Sequence, residues 1–480
     1  MLLLDTKHPM SAARTAFAMC GERSGDAILK SIFRAPTPIK LVGAVWTPPS
    51  TKDKTNDDDA RLAQVPVLFD GPKELGVMGA GMDLLKALPN AGRRLHQTVR
   101  AVISTRPDVL LTVDSKGFSL RLQDKVASSR PQIKRIHLCA PSIWAYKDGI
   151  ARAAKSTLKL DCLGTVLPFE PFYWKRAGRG DGVKFVGYFA VETLLDAVGH
   201  EDADLDDNLV KDVLDKQEMA NDDIHHKVDF PHQVPLPTFS SSIDKLPRIP
   251  AGKRESGRLA FARAHFADSL THDDPILVLA PGSRVHVVKS SLAVMRDLIN
   301  HLHSKNHKRR FGICILNAHE PRLDPFIDEF VKYVRSTLNL PVAVVNERDK
   351  ASAFLAAKAA FVVSGTIVTE LQLFQVPTVV MYNAGGFLTE YMARRMAQVS
   401  HVSLSNILSG QALCPEFLFS QCENTRKIAT EVEQRLFEWD ETESRVSSER
   451  VLAFLDRLVL YANGKPIRPS SVARHLIVHS

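Results

Sequence analysis

Asp114 ends the apolar run 110–113, beside Ser115 and ahead of Gly117. A carboxylate at the carboxyl end of a strand is placed to serve as a general base. The same residue also reads as the N-cap of a helix containing Leu120 and Leu122. Arg284 closes the turn Pro281-Gly282-Ser283-Arg284, between a strand-like run 275–280 and an apolar-periodic stretch 287–302. Gly282 lets backbone approach a phosphate, Ser283 caps the helix, and the helix N-terminus attracts negative charge. Arg284 can grip a diphosphate with two parallel hydrogen bonds. The other reading is a plain strand–helix turn with a surface arginine. Ser364-Gly365-Thr366 repeats this logic after the run 360–363, and Glu370 follows inside the helix that begins at Thr366. Glu370 is there either an acceptor for both ribose hydroxyls or a buried salt-link partner. Two phosphate-friendly turns in one domain favour a nucleotide with a diphosphate.

A further turn, Gly21-Glu22-Arg23-Ser24-Gly25-Asp26, follows the apolar run 15–20. Its glycines permit backbone that side chains would block. Ser24 or Asp26 is placed to cap a helix that continues through Ile28 and Leu29. Such a junction exposes N–H groups and short polar side chains where open α/β sheets bind ligands. Ala140-Pro141-Ser142-Ile143-Trp144-Ala145-Tyr146 reads as a cleft wall, with Trp144 equally suited to a core anchor. A basic helix is expected over 147–159, able to face phosphate or membrane. The stretch 82–106 is apolar early and basic late, with Pro89 expected to break it. It reads as a lipid-surface element or as a core-packing helix. Gly79-Ala80-Gly81 lacks the strand and the third glycine of a dinucleotide loop.

These residues need elements to position them. Short Val/Ile/Leu-rich runs alternate with helical stretches in two series, one ending near residue 186 and one starting near 275. That alternation predicts an α/β protein of two doubly wound, Rossmann-like domains with parallel sheets. At 480 residues two cores are expected. The expected division is an N-terminal domain 1–199, a polar linker or insertion 200–256 and a C-terminal domain 257–480, whose last helices cross back. A second polar insertion, about 48–64, holds Asp57-Asp58-Asp59 and reads as a solvated loop. His225-His226 in the linker reads as no metal site, because adjacent histidines point apart.

Net charge is +8, which favours anionic partners: phosphorylated substrates, anionic lipid surfaces or nucleic acid. Aromatics at 7% with no RNA-binding spelling put nucleic acid last. The six cysteines form no Cys-x-x-Cys pair and read as reduced core residues rather than a disulfide or zinc set. No apolar run approaches the roughly 18 residues of a membrane span. Met-Leu-Leu-Leu at the start is interrupted by Asp5, so a secretory signal is not expected.

Together and in this order, the motifs resemble lipid-A-disaccharide synthase, an inverting enzyme of the glycosyltransferase-B fold. The resemblance rests on Gly21-Glu22-Arg23-Ser24-Gly25-Asp26, Val77-Met78-Gly79, Pro141-Ser142-Ile143-Trp144-Ala145 and Leu167-Pro168-Phe169-Glu170. It continues through Pro281-Gly282-Ser283-Arg284, through Ser364-Gly365-Thr366 with Glu370, and through the segment 402–410 with Asn406. It covers most of the chain outside the two insertions.

The resemblance implies transfer of a diacylglucosaminyl group from UDP-2,3-diacylglucosamine to 2,3-diacylglucosamine-1-phosphate, releasing UDP. It implies Asp114 as base and Arg284 as diphosphate contact. Ser283, Ser364, Gly365, Thr366, Glu370 and Asn406 would line the nucleotide site. Glu22, Ser24, Asp26, Ser142 and Trp144 would contact the substrate. No cofactor or metal is implied. Such an enzyme works at a membrane surface without spanning it, cytoplasmic and peripheral to the inner membrane, or in the mitochondrion of a eukaryote. A homodimer or larger assembly is expected.

The chain departs from the family pattern at several positions. Gly117 stands for a second aspartate, Tyr188 for a histidine, Val287 for an acid and Asn383 for a base. Trp46-Thr47-Pro48-Pro49 replaces a Gly-x-Arg-Met-type segment. These departures motivate two other readings: an impaired relative kept as a binding or structural subunit, and a same-fold transferase with another acceptor.

Overall fold

Runs of Val, Ile and Leu form strands here because branched side chains fit a pleat that is covered on both faces. In the computed structural model these runs build two parallel six-stranded sheets. The structure describes residues 13–34, 37–47, 57–75, 82–146, 148–154, 159–179, 182–200, 207–222, 246–266, 269–271, 273–305, 309–318, 321–347, 349–382, 401–418 and 424–479. The first sheet comprises β1 (Arg14–Cys20), β2 (Ile39–Val45), β3 (Val109–Val113), β4 (Lys134–Leu138), β5 (Cys162–Thr165) and β6 (Val183–Phe185), in the order β2-β1-β3-β4-β5-β6. The second comprises β7 (Ile276–Ala280), β8 (Gly312–Leu316), β9 (Val342–Val345), β10 (Ala359–Val363), β11 (Thr378–Tyr382) and β12 (Glu416–Leu418). Its order is β12-β11-β10-β7-β8-β9. Every pairing in both sheets is parallel.

These strand orders decide where a ligand can sit. In the first sheet the order turns back between β1 and β3, and in the second between β7 and β10. At such a switch point the two connections leave toward opposite faces and open a crevice at the carboxyl ends. Register makes the flanking turns neighbours. Cys20 is level with Val113, so residues 21–26 lie beside Asp114. Ala280 is level with Val362, so residues 281–284 lie beside residues 364–366.

The cores follow the sheets. Ala16, Ala18, Leu111 and Ile136 pack on one face of the first sheet with Leu29 and Ile32 of the helix Arg23–Ile32. Phe17, Met19 and Leu110 pack on the other with Leu95 and Val102 of the helix Met82–Thr105. In the second sheet Leu277, Ile313 and Phe361 meet Met295 and Ile299 of the helix Val285–Lys305. Buried residues also join the halves, because the helix Val191–Val198 lies against the helices Lys350–Ala356 and Thr366–Leu373. Late in the chain a hairpin of β13 (Leu460–Ala462) and β14 (Lys465–Ile467) leads to the helix Pro469–His479. That helix packs on Arg23–Ile32 and places Val472, Ala473 and Ile477 in the first sheet's core. Arg468 anchors the return with ion pairs to Glu192 at 2.9 Å and Asp196 at 2.7 Å. No helix among the described residues is long and apolar enough to cross a membrane.

Several expectations change. The helix Met82–Thr105 continues through Pro89, whose nitrogen has no hydrogen to donate to the helix. The helix Arg23–Ile32 starts before Ser24 and Asp26, so neither caps it; Glu22 is its N-cap, without a side-chain bond. The polar insertion near 48–64 contains the helix Asp57–Leu62, whose Leu62 is buried. The segment 200–256 likewise contains the helix Asp207–Asp222, which puts Val210 and Leu214 into the first sheet's core. One buried apolar stripe suffices to fold an otherwise polar segment onto a sheet. The expected basic helix is a short one, Gly149–Ala153. Residues 77–81, Pro48, Pro49, His225, His226 and Asn383 lie outside the described residues.

Candidate active site

The crevice between β1 and β3 is built on unusual backbone. Asp114 and Ser115 have φ of 57° and 50°, and Cys139, just past β4, has 61°. Non-glycine residues seldom occupy this left-handed region, and it persists only where surroundings hold it. The Asp114 N–H donates to Leu138 O at 3.1 Å, and the Ser115 N–H donates to Asp114 Oδ1 at 2.6 Å. Ser119 Oγ donates to the Asp114 carbonyl at 2.6 Å. Across the switch point Ser24 Oγ donates to Asp114 Oδ2 at 3.2 Å. The approach requires glycine at 21, where a Cβ would lie 2.4 Å from Ser115 Oγ.

Glu22 lies in the same crevice. Burial raises its carboxyl above the usual range, Asp114 adds to the rise, and Arg284 opposes it. Arg284 belongs to the turn after β7, so its charge reaches Glu22 across the gap between the two sheets. Asp26 plays another part. Its buried carboxylate accepts from the Thr47 N–H at 2.9 Å and pairs with Lys30 at 2.8 Å, pinning the segment after β2 to the first helix. Burial raises its pKa, with Lys30 opposing. It is therefore a brace rather than an open substrate contact.

Ser142 is exposed, but Trp144 is not a cleft wall. Its ring is buried edge-on against Phe169 at 4.9 Å, and its indole N–H donates to Glu170 Oε1 at 2.9 Å. Glu170 Oε2 accepts from the N–H groups of Val166 and Leu167 at 3.1 and 3.0 Å. Burial pushes this carboxyl up to about 7, against those three donors. An indole in an apolar site needs an acceptor, and Glu170 supplies it by drawing Trp144 into the core.

In the second sheet Gly282 has φ 103°, and Ser291 Oγ donates to Pro281 O at 2.6 Å, fixing the turn. Ser283 and Arg284 are exposed just ahead of the helix Val285–Lys305. Beside them the Ser364 N–H donates to Met381 O at 2.8 Å, and Gly365 and Thr366 stand exposed at the start of the helix Thr366–Leu373. Two helix N-termini thus converge with an arginine, an arrangement suited to a diphosphate.

Two expected ligand contacts are otherwise engaged. Glu370 is 7% exposed; its Oε1 meets Lys350 Nζ at 2.7 Å and accepts from Thr193 Oγ1 at 3.4 Å. The buried salt link is the reading realised. Asn406 is fully buried, donating to Cys414 O at 2.8 Å and accepting from the Cys414 N–H at 3.0 Å. It clamps the loop after the helix Leu404–Ser409 instead of lining the crevice. Lys350 and Thr193 escaped the sequence reading, since neither sits in a turn after a strand.

Two doubly wound sheets with facing switch-point crevices, carboxylates in one and anion-suited turns in the other, define a two-domain protein of the glycosyltransferase-B type. The same fold occurs in a Listeria monocytogenes protein assigned as a UDP-N-acetylglucosamine 2-epimerase, with a TM-score of 0.51 at 9% identity over 97% of this chain and 95% of that one. The chain belongs to the lipid-A-disaccharide synthetase family, whose model matches residues 58–220 and 260–460, and it is a hexosyltransferase. The lipid-A-disaccharide synthase of Nitrobacter winogradskyi is 26% identical to it over 98% of this chain and 96% of that protein. That of Paramagnetospirillum magneticum is 30% identical over 76% of this chain and 74% of its own length. An Arabidopsis thaliana relative named "Probable lipid-A-disaccharide synthase, mitochondrial" is 28% identical over 80% and 72% respectively.

Proposed function

We propose that this chain joins a diacylglucosaminyl group from UDP-2,3-diacylglucosamine to 2,3-diacylglucosamine-1-phosphate and releases UDP, working at a membrane surface. The observation that carries the reading is placement. Glu22, Ser24 and Asp114 occupy the switch point of the first sheet; Ser283, Arg284, Ser364, Gly365 and Thr366 occupy that of the second. Accordingly the acylated acceptor binds in the N-terminal half and the UDP-sugar in the C-terminal half.

Asp114 takes the proton from the acceptor hydroxyl as its oxygen attacks the anomeric carbon from the face opposite UDP. The new C–O bond forms while the bond to the diphosphate oxygen breaks, which inverts the centre. Ser24 and the Ser115 N–H each engage one Asp114 oxygen and hold it toward the crevice. Arg284 and the two helix N-termini offset the charge that gathers on departing UDP, by electrostatic preorganisation.

The test measures UDP release with both acylated substrates at saturation. Asp114→Asn keeps the size and loses the base, so kcat is expected to fall by about 10²- to 10⁴-fold, with the KM for UDP-sugar little changed. Wild-type UDP release no greater than that of Asp114→Asn would overturn the reading.

A further inference from the structure

Four basic residues gather at the end of the first sheet that the proposed reaction does not use. Arg14 opens β1, Lys134 opens β4, Arg106 follows the helix Met82–Thr105 and Arg130 follows the helix Lys116–Ser129. With Asp108, just ahead of β3, they line an open cavity of about 240 Å³. The strands are parallel, so the cavity lies at their amino ends. Asp114 stands past the other end of β3, roughly 20 Å away at about 3.3 Å per strand residue.

Charge in the cavity is out of balance. Asp108 turns its carboxylate to Thr15, whose N–H and Oγ1 both donate to Asp108 Oδ2, at 2.8 and 2.7 Å. The side chains of Arg106, Arg130 and Lys134 have no hydrogen-bond or ion-pair partner among the described residues. By contrast Arg135, next along β4, pairs with Asp161 at 2.8 Å. Two helices end here, and the carboxyl end of a helix carries about half a negative charge. Those ends and the one carboxylate offset about two of the four cations and leave a surplus of about two. Helix ends alone therefore do not account for the cluster. Arg106 also takes φ 47°, where glycine is unstrained, so an arginine stands there at a cost in backbone strain.

Size and lining narrow the ligand. Drug-sized molecules occupy pockets of about 300–1,000 Å³, so this cavity suits a smaller group. Its apolar residues, Pro107 and Ile133, are buried and offer no bed for an acyl chain. Arginine forks bind phosphate oxygens in pairs, and a phosphomonoester carries about two negative charges at pH 7. We propose that the cavity binds one compact phosphate group, either inorganic phosphate or the phosphomonoester of a lipid headgroup, at a site separate from the candidate active site.

Titration calorimetry of the full chain with inorganic phosphate tests the site, in the Arg284→Ala background so that the turns of the second sheet do not contribute. Adding Arg106→Gln with Lys134→Gln is expected to weaken phosphate on the order of 10- to 100-fold. Arg130→Gln is an independent removal, expected to weaken it about tenfold. Arg121→Gln with Lys125→Gln takes the same charge from exposed positions on the helix Lys116–Ser129 and is expected to leave phosphate affinity unchanged. Arg106 and Lys134 are exposed as well, so both pairs should keep the thermal midpoint. Flotation with phosphatidylcholine vesicles containing phosphatidic acid separates the two sources. Vesicle binding lost in the Arg106/Lys134 pair and kept in the Arg121/Lys125 pair assigns a headgroup; vesicle binding equal in both pairs, beside the calorimetric loss, assigns free phosphate. Absence of phosphate binding in the Arg284→Ala chain overturns the site. So does undiminished affinity in the Arg106/Lys134 pair and in Arg130→Gln, or equal weakening in the two pairs, since general charge would then explain the loss.

Discussion

Glu170→Gln sets burial against hydrogen bonding beneath the candidate active site. The Glu170 side chain is wholly buried, and its two oxygens meet N–H groups of Trp144, Val166 and Leu167. Those donors favour the ionised form, while loss of water favours the neutral one and wins, pushing the carboxyl from 4.5 to about 7. The folded protein therefore holds this proton more tightly than the unfolded chain does. The resulting stabilisation is complete below about pH 4.5 and is lost as pH rises to about 7. At about 1.36 kcal/mol per pH unit that window spans roughly 3 kcal/mol, of which roughly 2 kcal/mol falls between pH 5.5 and 8.5. Glutamine does not titrate there, and it offers one acceptor oxygen to donors that converge on two. Either the indole or the 166–167 pair then faces an NH₂ group, at a cost of about 2–4 kcal/mol. Glu170→Gln should thus be clearly less stable at pH 5.5, with a gap that narrows by roughly 2 kcal/mol by pH 8.5. Guanidinium unfolding followed by tryptophan fluorescence measures it, since Trp144 reports on the site directly. A gap constant with pH would mean that the carboxylate is ionised throughout and that the donors, not burial, govern it.

Two further substitutions separate bracing from binding. Asn406→Ala leaves the buried N–H and C=O of Cys414 without partners, so it should lose about 2–5 kcal/mol of stability with no direct effect on UDP affinity; weakened UDP binding at unchanged thermal midpoint would return Asn406 to the nucleotide site. Gly71→Ala places a Cβ 2.1 Å from Cys20 O and 3.0 Å from Val45 Cγ1, a backbone clash expected to cost about 1–3 kcal/mol and to lower UDP release by displacing the strand end before Glu22; a variant with the wild-type thermal midpoint would refute that account.

What the sequence disclosed depended on whether a feature was local. β3 is entirely buried, and the apolar run 110–113 covers all but its first residue. The turns at 21–26, 281–284 and 364–366 are also legible, because a glycine or short polar side chain directly after an apolar run has few other uses. β12 is a three-residue edge strand, and the apolar stretch Phe417-Leu418-Phe419 is too short to mark it. The β13–β14 hairpin did carry a signal. Asn463-Gly464 takes φ of 51° and 75°, the left-handed pair that a two-residue hairpin turn demands. Side-chain roles were the hardest to read because their partners are remote. Trp144 faces inward because of Glu170, 26 residues on, and Glu370 is engaged by Lys350, 20 residues back. No spacing within either motif announces the other partner.

The departures from the family pattern can be weighed by what each position now does. Val287 is buried among Val288, Leu292 and Met295, and a Cβ on Gly282 would come within 3.0 Å of it. An apolar residue there packs beneath the phosphate-suited turn and supports it. Gly117 is exposed in the first turn of the helix Lys116–Ser129, with no atom within 4 Å of where a Cβ would stand. Nothing described around Gly117 leans on a side chain at that position. Tyr188 packs against the core that the halves share, where burial raises its hydroxyl to about 12. None of the three holds Asp114, whose position is set by the Leu138 carbonyl, Ser24, Ser115 and Ser119. The proposed base Asp114 and the proposed diphosphate contact Arg284 are located by strand order and register, which these substitutions leave intact. On the proposed mechanism, an altered residue beside the site changes which ligand fits or how tightly it is held, whereas loss of chemistry would require a change at Asp114, at Arg284 or in the backbone that aims them.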